Sequence, residues 1–291
     1  MIRFVDYESR ELTAVTYVGT GKFNFYKDCS ENAERLRQSL ANYGIPLVIY
    51  DFSDLRKLVK FPSSDLFYFF TRYGAGSWFW KPIVILDALN KYRSREVIYF
   101  DSDCVVTKDP RKLVHQNLTQ NDIALFRQNT TLKGWISSRA IRILRLEEQE
   151  LQNSYLLTAG VILMKNTDKA RSFCSAWHNE MKNPRLLLHP HFRFQNIRHR
   201  HDQSVLSALV SKGKLECTVM ENGFFSSGKE SLEGNIANAW VYTGEVESIS
   251  VDVSLQKRIA LLADYYSRKF YEITKSIIIT PIHVIFFILQ R

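Results

Sequence analysis

Two carboxylates stand directly after an apolar run. The sequence reads EVIYF at 96–100 and continues with Asp101, Ser102 and Asp103. In an extended chain, residues i and i+2 point to the same side, so both carboxylates can face one ligand. Carboxylate oxygens suit Mg²⁺ and Mn²⁺, and substrate phosphates complete the coordination of such ions. Asp and Ser also favour turns, which would explain these residues without a metal; the preceding apolar run adds weight to the metal site.

A third carboxylate precedes a helical pattern further along the chain. Asp202 is followed by Gln203, which opens the pattern QSVLSALVS at 203–211. One interpretation is that Asp202 only N-caps this helix. A carboxylate at a cap position also points away from the helix and into a crevice, so a ligand-binding role is compatible with capping.

Lys81 combines charge with an apolar setting. It lies in WFWKP at 78–82, where a helix over 78–92 is predicted because Pro82 is tolerated in a first helical turn. An ammonium at this place could pair with a phosphate or orient Asp103. The alternative is an ordinary surface lysine, although the neighbouring tryptophans favour a half-buried position.

The elements that must position these residues alternate along the chain. Apolar runs predict strands over 12–18, 46–52, 96–100, 122–126 and 155–164, and helical spacing predicts helices over 31–43, 78–92, 168–181 and 203–211. This alternation is typical of an α/β fold with a largely parallel sheet. Ligands of such sheets bind at the carboxyl ends of the strands, which is where Asp101 and Asp103 stand.

The composition limits the class of protein. The chain has 291 residues, of which 45% are apolar and 24% charged, so it is not intrinsically disordered. Its four cysteines form no C-x-x-C pair, which excludes a disulfide scaffold and a zinc ribbon. The net charge of +9 has two interpretations: it attracts the phosphate groups of a partner, or it belongs to a basic surface that contacts only solvent. The start of the chain lacks the apolar run of a signal peptide, so we expect a cytoplasmic protein.

A histidine-rich window at 185–201 stays ambiguous. It holds four of the seven histidines and four arginines. Zinc binding is one interpretation, but no cysteine joins the histidines and their spacing is irregular. A basic loop over a phosphate-bearing substrate, or a solvated loop, are the others.

The sequence predicts a main domain over 1–250 and a C-terminal helical segment over 251–291. Within the latter, 254–275 is basic and amphipathic and 277–289 is apolar but contains a proline. That run is too short to span a bilayer and suits peripheral contact of 254–291 with the cytoplasmic face of a membrane. Packing against the core and contact with another subunit are the alternatives.

Four segments, taken in order, resemble one enzyme family. WFWKP (78–82), VIYFDSD (97–103), LTAGVILMKN (157–166) and HDQSVL (201–206) are similar to glycosyltransferases of the GT-A fold, in particular families 8 and 32, which use sugar nucleotides. The resemblance covers about residues 12–245. It implies a GT-A (Rossmann-like) α/β fold with a mixed, mainly parallel sheet flanked by helices.

The resemblance assigns a role to individual residues. In such enzymes the acids matching Asp101 and Asp103 hold Mn²⁺ or Mg²⁺ on the donor diphosphate, and the acid matching Asp202 binds hydroxyls of the donor sugar while Gln203 lies near the anomeric carbon. The remaining residues implied in donor or nucleotide binding are Tyr17, Gly19, Lys81, Asp101, Ser102, Ala159 and Gly160. Tyr17 as a core aromatic is equally compatible with the sequence.

The sequence departs from family 8 at one motif. A C-terminal H-x-x-G-x-x-K-P-W segment, whose histidine is the third metal ligand, has no match, and WVYTG at 240–244 occupies its approximate place. The third ligand is therefore unassigned. The departure concerns membership of family 8, and not the fold.

The function that these observations favour is a metal-dependent glycosyltransferase. The resemblance, in which a glutamine lies near the anomeric carbon, implies an enzyme of the retaining type. It would move a sugar from a nucleotide diphosphate, UDP rather than GDP, to a glycan or lipid-linked acceptor hydroxyl in polysaccharide biosynthesis. A sugar-phosphate nucleotidyltransferase is an alternative, but GTGK at 19–22 is a poor version of its glycine-rich signature. A non-catalytic nucleic-acid or membrane-binding module is another; the charge is diffuse and no nucleic-acid motif occurs, so nucleic acid is not an expected partner.

Overall fold

The structure, a computed structural model, describes residues 11–18, 29–59, 78–187, 199–221, 225–227 and 241–243. All of these residues belong to one compact unit. No helix in these ranges is long and apolar enough to cross a membrane. The segment 251–291 and Gly19 lie outside the described residues, so the predictions made for them stay predictions.

Within the residues that the structure describes, nine strands form two sheets. They are β1 (Leu12–Tyr17), β2 (Leu47–Tyr50), β3 (Glu96–Phe100), β4 (Cys104–Val106), β5 (Ile123–Thr131), β6 (Tyr155–Lys165), β7 (Thr218–Met220), β8 (Phe225–Ser227) and β9 (Val241–Thr243). The central sheet has the order β2-β1-β3-β6-β5-β7, and β4, β9 and β8 form the smaller sheet. In the central sheet β6 is antiparallel to both of its neighbours, whereas the β1–β2, β1–β3 and β5–β7 pairs are parallel. The predicted mixed, mainly parallel sheet is confirmed.

The helices of the described residues are α1 (Ser30–Ala41), α2 (Phe52–Leu58), α3 (Lys81–Lys91), α4 (Pro110–Asn117), α5 (Ser138–Leu144), α6 (Glu148–Asn153), α7 (Asp168–Met181), α8 (Pro184–Leu187) and α9 (His201–Ser211). Helices pack on both faces of the central sheet. Apolar residues of α3, α7 and α9 bury one face, and apolar residues of α1 and α4 bury the other. The result is the three-layer arrangement that alternating strands and helices predict.

Every strand and helix that the sequence predicts within the described residues is present, and the elements that it did not predict are all short. The helix predicted over 78–92 runs from Lys81 to Lys91, with Pro82 in its first turn as expected. The strand predicted over 122–126 is longer and extends to Thr131. Helices α2, α4, α5, α6 and α8, strand β7 and the strands of the smaller sheet were not predicted. Each has three to eight residues and lacks the distinct apolar run that made short strands such as β2 and β3 recognisable.

The antiparallel direction of β6 determines what reaches the carboxyl edge of the sheet. Phe100, the last residue of β3, pairs with Val161. The residues before Val161 therefore extend past the end of β3 and lie beside Asp101, whose N–H donates to the Gly160 carbonyl at 2.8 Å. Small residues in the first half of β6 thus line the same edge as the acids that follow β3.

The smaller sheet brings a distant segment to the same place. Its β4 begins one residue after Asp103, and Cys104 pairs with Thr243 in β9. Thr243, part of the segment WVYTG, therefore pairs with the residue that directly follows Asp103. This is the neighbourhood in which the resemblance placed the missing C-terminal motif.

Candidate active site

The side chain of Lys81 is the centre of the site. Lys81 is the first residue of α3 and is only 2% exposed. Its Nζ lies 3.0 Å from Oδ1 of Asp101 and 2.9 Å from Oδ2 of Asp202, and it donates to the Ala159 carbonyl at 3.2 Å. The start of α3, the end of β3, the first half of β6 and the first turn of α9 therefore meet at one ammonium group. The alternative of a surface lysine is wrong.

Asp101 is fixed from several directions. The Tyr99 hydroxyl donates to Oδ1 at 2.7 Å, and Lys81 donates to Oδ2 at 3.2 Å as well as lying near Oδ1. A Cβ atom built on Gly160 would lie 3.0 Å from Oδ2 of Asp101, closer than such contacts normally are. An alanine at 160 would therefore require the Asp101 carboxylate to move by a few tenths of an ångström.

Asp103 is close enough to Asp101 to feel its charge. Burial, followed by the negative charge of Asp101, raises the pKa of Asp103 to about 6. Among the described residues, no cationic side chain forms an ion pair with Asp103. Ser102 lies in the turn between the two acids, which the Cys104 N–H closes by donating to the Asp101 carbonyl at 3.0 Å.

Asp202 is a buried carboxylate in the first turn of α9. Burial raises its pKa to about 6, against the opposing effect of Lys81. The helix begins at His201 with Arg200 as the N-cap, so the suggestion that Asp202 caps this helix is wrong. The Arg200 N–H instead donates to the Ser204 hydroxyl at 2.8 Å, which leaves the Asp202 carboxylate to pair with Lys81.

We call Lys81, Asp101, Asp103 and Asp202 the acidic centre. Burial alone lowers the pKa of Lys81, but the charges of Asp101 and Asp202 outweigh burial and raise it above its usual value. The acidic centre thus brings three carboxyl groups together around one ammonium. A desolvated group of charges with an excess of negative charge is stabilised by a cation.

Two aromatic residues link the helix starts that carry Lys81 and Asp202. The rings of Trp78 and His201 lie 5.7 Å apart, and both residues have a positive φ, 60° and 40° respectively. Residues with bulky side chains rarely adopt this region, and such conformations cluster at functional sites. The imidazole rings of His199 and His201 bond the carbonyls of Leu186 and Leu187, at 2.7 and 2.6 Å.

Tyr17 lies deeper than a base-stacking residue would. It is 4% exposed, and its ring packs 4.1 Å from that of Trp80 with an interplanar angle of 31°. Trp80 is buried as well. Tyr17 thus packs as a core aromatic on its Trp80 side, and its contact with a nucleotide stays a prediction.

The structure brings most of the predicted site residues together. Ion pairs or hydrogen bonds connect five of them, which are Lys81, Asp101, Ala159, Gly160 and Asp202. Gln203 follows Asp202 in α9, and its buried Oε1 has no hydrogen-bond partner among the described residues.

Sequence reasoning missed Tyr99. Its hydroxyl bonds Asp101, and it is 1% exposed. In an extended chain, side chains two residues apart point to the same side, which is the argument that placed Asp101 and Asp103 together. The same argument places Tyr99 beside Asp101, so the sequence contained the information needed to predict this contact.

The acidic centre fits a divalent cation in part. The described residues contain no group of three or more His, Cys, Asp or Glu side chains arranged to hold a metal ion. Asp101 and Asp103 thus offer two ligands, and the excess of carboxylates supplies the charge that a divalent cation would neutralise. Diphosphate oxygens and water commonly complete the shell of such an ion.

Comparison with known proteins gives a likeness in structure alone. No family model matches the sequence, and no curated protein matches it either. Mouse xyloside xylosyltransferase 1 in its apo form matches with a TM-score of 0.50 at 13% identity, over 81% of this chain and 98% of the other. A glycosyltransferase involved in glycosylation of the major capsid of PBCV-1 matches with a TM-score of 0.43 at 11% identity, over 81% and 94%.

The bifunctional glycosyltransferase WbbM, also in its apo form, matches with a TM-score of 0.48 at 12% identity, over 85% of this chain and 47% of the other. The fold assignment rests on the first of these three likenesses together with the mixed sheet and its flanking helices. The chain has the GT-A glycosyltransferase fold.

Proposed function

We propose that this chain is a metal-dependent glycosyltransferase that moves a sugar from a nucleotide-diphosphate donor to an acceptor hydroxyl. The observation that carries the proposal is the acidic centre itself. A buried lysine holds Asp101 and Asp202 beside Asp103 at the edge of the sheet where α/β folds bind ligands. A purely structural cluster would be expected to match its acids with bases, whereas this one has three carboxyl groups for one ammonium.

Asp101 and Asp103 are the residues that would hold Mn²⁺ or Mg²⁺. When bound, such an ion supplies Lewis-acid stabilisation of the negative charge on the departing diphosphate. Lys81 holds Asp101 in place, because its ammonium is buried and lies 3.0 Å from the Asp101 carboxylate. Glycine at 160 and alanine at 159 leave room beside the acids at the sheet edge.

Asp202 and Gln203 are assigned to the donor sugar. The Asp202 carboxylate is shared with Lys81, and this pairing lowers its strength as a nucleophile while leaving its other oxygen to accept from a sugar hydroxyl. A double displacement through Asp202 is therefore disfavoured. We assign a retaining, front-side displacement in which the leaving phosphate accepts the acceptor proton and Gln203 lies near the anomeric carbon.

The finer features of the proposal concern donor, acceptor and location. We favour UDP over GDP as the donor nucleotide, and a glycan or lipid-linked acceptor in polysaccharide biosynthesis. We place the protein in the cytoplasm, with 254–291 in peripheral contact with the membrane. Deletion of 277–291 should remove binding to anionic vesicles, and undiminished binding would contradict this placement.

The test is thermal stabilisation by UDP, GDP and their sugars, with and without Mn²⁺. A ligand that binds only the folded state at a hundred times its dissociation constant stabilises by about 2.7 kcal/mol, which is a shift of several degrees. Asp103→Asn should lose the metal-dependent part of the shift. Asp168→Asn is the matched control, because the Asp168 side chain is fully exposed on α7.

A product assay separates the enzyme classes. Release of the nucleoside diphosphate from the stabilising nucleotide sugar supports a transferase. Consumption or release of pyrophosphate would instead identify a nucleotidyltransferase. Absence of any nucleotide shift in the wild type would reduce the conclusion to the fold.

A further inference from the structure

The two oxygens of Asp101 are both engaged within the protein. Oδ1 accepts from the Tyr99 hydroxyl at 2.7 Å and lies 3.0 Å from Nζ of Lys81, and Oδ2 accepts from the same Nζ at 3.2 Å. A carboxylate held at both oxygens has little freedom to rotate about its χ2 torsion. Its orientation toward any ligand is therefore decided by the groups behind it.

Tyr99 is suited to act as one of those groups and not as a contact of the substrate. It is 1% exposed and lies in β3, which has a paired strand on each side: Tyr99 is opposite Val15 in β1 and Ile162 in β6. A residue in a doubly paired strand has a rigid backbone, so the hydroxyl is presented to Asp101 from a constant position.

Gly160 acts on the same carboxylate from the neighbouring strand β6. A Cβ at this place would lie 3.0 Å from Oδ2 and 3.5 Å from Cγ of Asp101. An added methyl group would therefore press on a carboxylate that Tyr99 and Lys81 hold on its other sides. The carboxylate would have to move by a few tenths of an ångström, at the expense of those bonds.

We propose that Tyr99 and Gly160 are positioning residues that fix the Asp101 carboxylate and thereby set the affinity of the acidic centre for its divalent cation. This inference rests on the proposed function, because that function makes Asp101 a metal ligand. Tyr99 acts by donating a hydrogen bond to the ligand, and Gly160 acts by leaving it room. Outer-shell partners of metal ligands typically change metal affinity by about 10- to 100-fold when they are removed.

The structure offers a matched control for each residue. Tyr50 donates from its hydroxyl to Oδ2 of Asp87 at 2.6 Å, outside the acidic centre, so Tyr50→Phe removes an equivalent tyrosine–carboxylate bond. Gly134 has no atom within 4 Å of a built Cβ and no positive φ, so Gly134→Ala adds a methyl group in open space. The pairs Tyr99→Phe with Tyr50→Phe and Gly160→Ala with Gly134→Ala differ mainly in whether Asp101 is touched.

The experiment is a titration of the full chain with Mn²⁺ in the presence of saturating UDP, with free Mn²⁺ followed by its electron paramagnetic resonance signal. Urea unfolding in the presence of EDTA gives the stability of each variant without metal. We expect Tyr99→Phe and Gly160→Ala each to weaken Mn²⁺ binding by about tenfold or more. Tyr50→Phe and Gly134→Ala should bind Mn²⁺ as the wild type does, even where Tyr50→Phe lowers stability as much as Tyr99→Phe.

Each result decides the matter. If the wild type binds Mn²⁺ and both Tyr99→Phe and Gly160→Ala bind it equally well, the positioning role is wrong and the proposed function stands. If the wild type binds no Mn²⁺ with or without UDP, the metal dependence of the proposed function fails, and the inference fails with it. Because the two substitutions act on Asp101 from different strands, a folding defect in one leaves the other to decide.

Discussion

Two polar networks of different character lie at the two ends of β6. The first half contributes the Ala159 carbonyl and Gly160 to the acidic centre. Just past the other end, Asn166 donates to the carbonyls of Tyr92 and Ser94 at 3.0 Å and accepts from Arg171 at 2.6 Å. We call this second network, formed by Asn90, Asn166, Asp168 and Arg171, the arginine junction.

The difference between the networks is their balance of charge and of hydrogen bonds. In the arginine junction, Arg171 is paired with Asp168 at 3.1 Å and also donates to Asn90 and to the Leu89 carbonyl, so one cation meets one anion and neutral acceptors. It joins the turn after α3 to the start of α7. In the acidic centre one ammonium pairs with two of the three carboxyl groups, those of Asp101 and Asp202. A network in which cations and anions are equal in number is stable without a ligand. A buried network with more acids than bases is stabilised by a positively charged ligand.

The largest effect we expect is the loss of activity in Asp103→Asn. Removing a carboxylate from the proposed metal site should lower the rate of sugar transfer by about a thousandfold. Stability without metal should not fall, because the ionised, buried carboxylate costs free energy at neutral pH. Steady-state kinetics and urea unfolding in EDTA measure the two effects. An equal loss of activity in Asp168→Asn would remove the distinction between the two networks.

Lys81→Met should damage both folding and activity. It removes the one ammonium that faces Asp101 and Asp202, and breaking a buried ion pair from one side costs about 3–5 kcal/mol. The free energy of unfolding from urea titration is the measurement. Lys169→Met is a suitable control, because Lys169 pairs with Glu216 on the exposed surface. Should both lysine variants lose the same small amount, Lys81 would have no special role.

Arg171→Ala should destabilise the protein without changing its chemistry. It removes a partly exposed guanidinium that bonds Asn90, Asn166 and Asp168, and we expect a loss of about 2 kcal/mol in the free energy of unfolding. The dependence of transfer on Mn²⁺, assayed well below the melting temperature, should stay as in the wild type. A shifted Mn²⁺ dependence would show that the two ends of β6 are coupled.

The smallest effect we expect concerns acid pH. His178 lies on α7, and burial, followed by the charge of Lys182, lowers its pKa to about 4. Its contribution to stability is present above the unfolded pKa near 6.5 and is lost as the pH falls toward 4, because only the unfolded state takes up the proton early. With a discount for its partial exposure, we expect wild type to lose about 1 kcal/mol more than His178→Gln between pH 7 and pH 5.

The acidic centre should respond to acid in the opposite direction. The pKa values of Asp103 and Asp202 are raised to about 6, so without metal their protonation below that pH removes a cost and favours the folded state. The free energy of unfolding of Asp103→Asn, measured without metal, should therefore differ from that of the wild type more at pH 7.5 than at pH 5. The same difference at both pH values would contradict the raised pKa of Asp103.

Much of the site was predictable because its signals are local. The apolar run before Asp101, the tryptophans around Lys81 and the helical pattern after Asp202 each occupy fewer than a dozen consecutive residues. The position of Lys81 between Asp101 and Asp202, rather than beside Asp103 as suggested, was not predictable. It depends on two helices that begin at the same edge of the sheet.

The position of Tyr17, by contrast, could not be predicted from local signals. Its sequence context was equally compatible with stacking on a base and with packing in the core. The Trp80 ring that covers one of its faces comes from a different part of the chain. Spacing within a strand cannot report which side chain a distant helix will bring.

The sequence by itself determined which residues form the long strands and helices and that two acids follow a buried strand, since hydrophobic periodicity and strand alternation are properties of neighbouring residues. Only the tertiary structure decided that β6 runs antiparallel, that Gly160 therefore lies against Asp101, and that one buried ammonium joins Asp101 to Asp202. The physical reason is that strand direction and charge pairing are settled by the packing of segments distant in the chain. No local pattern records that packing.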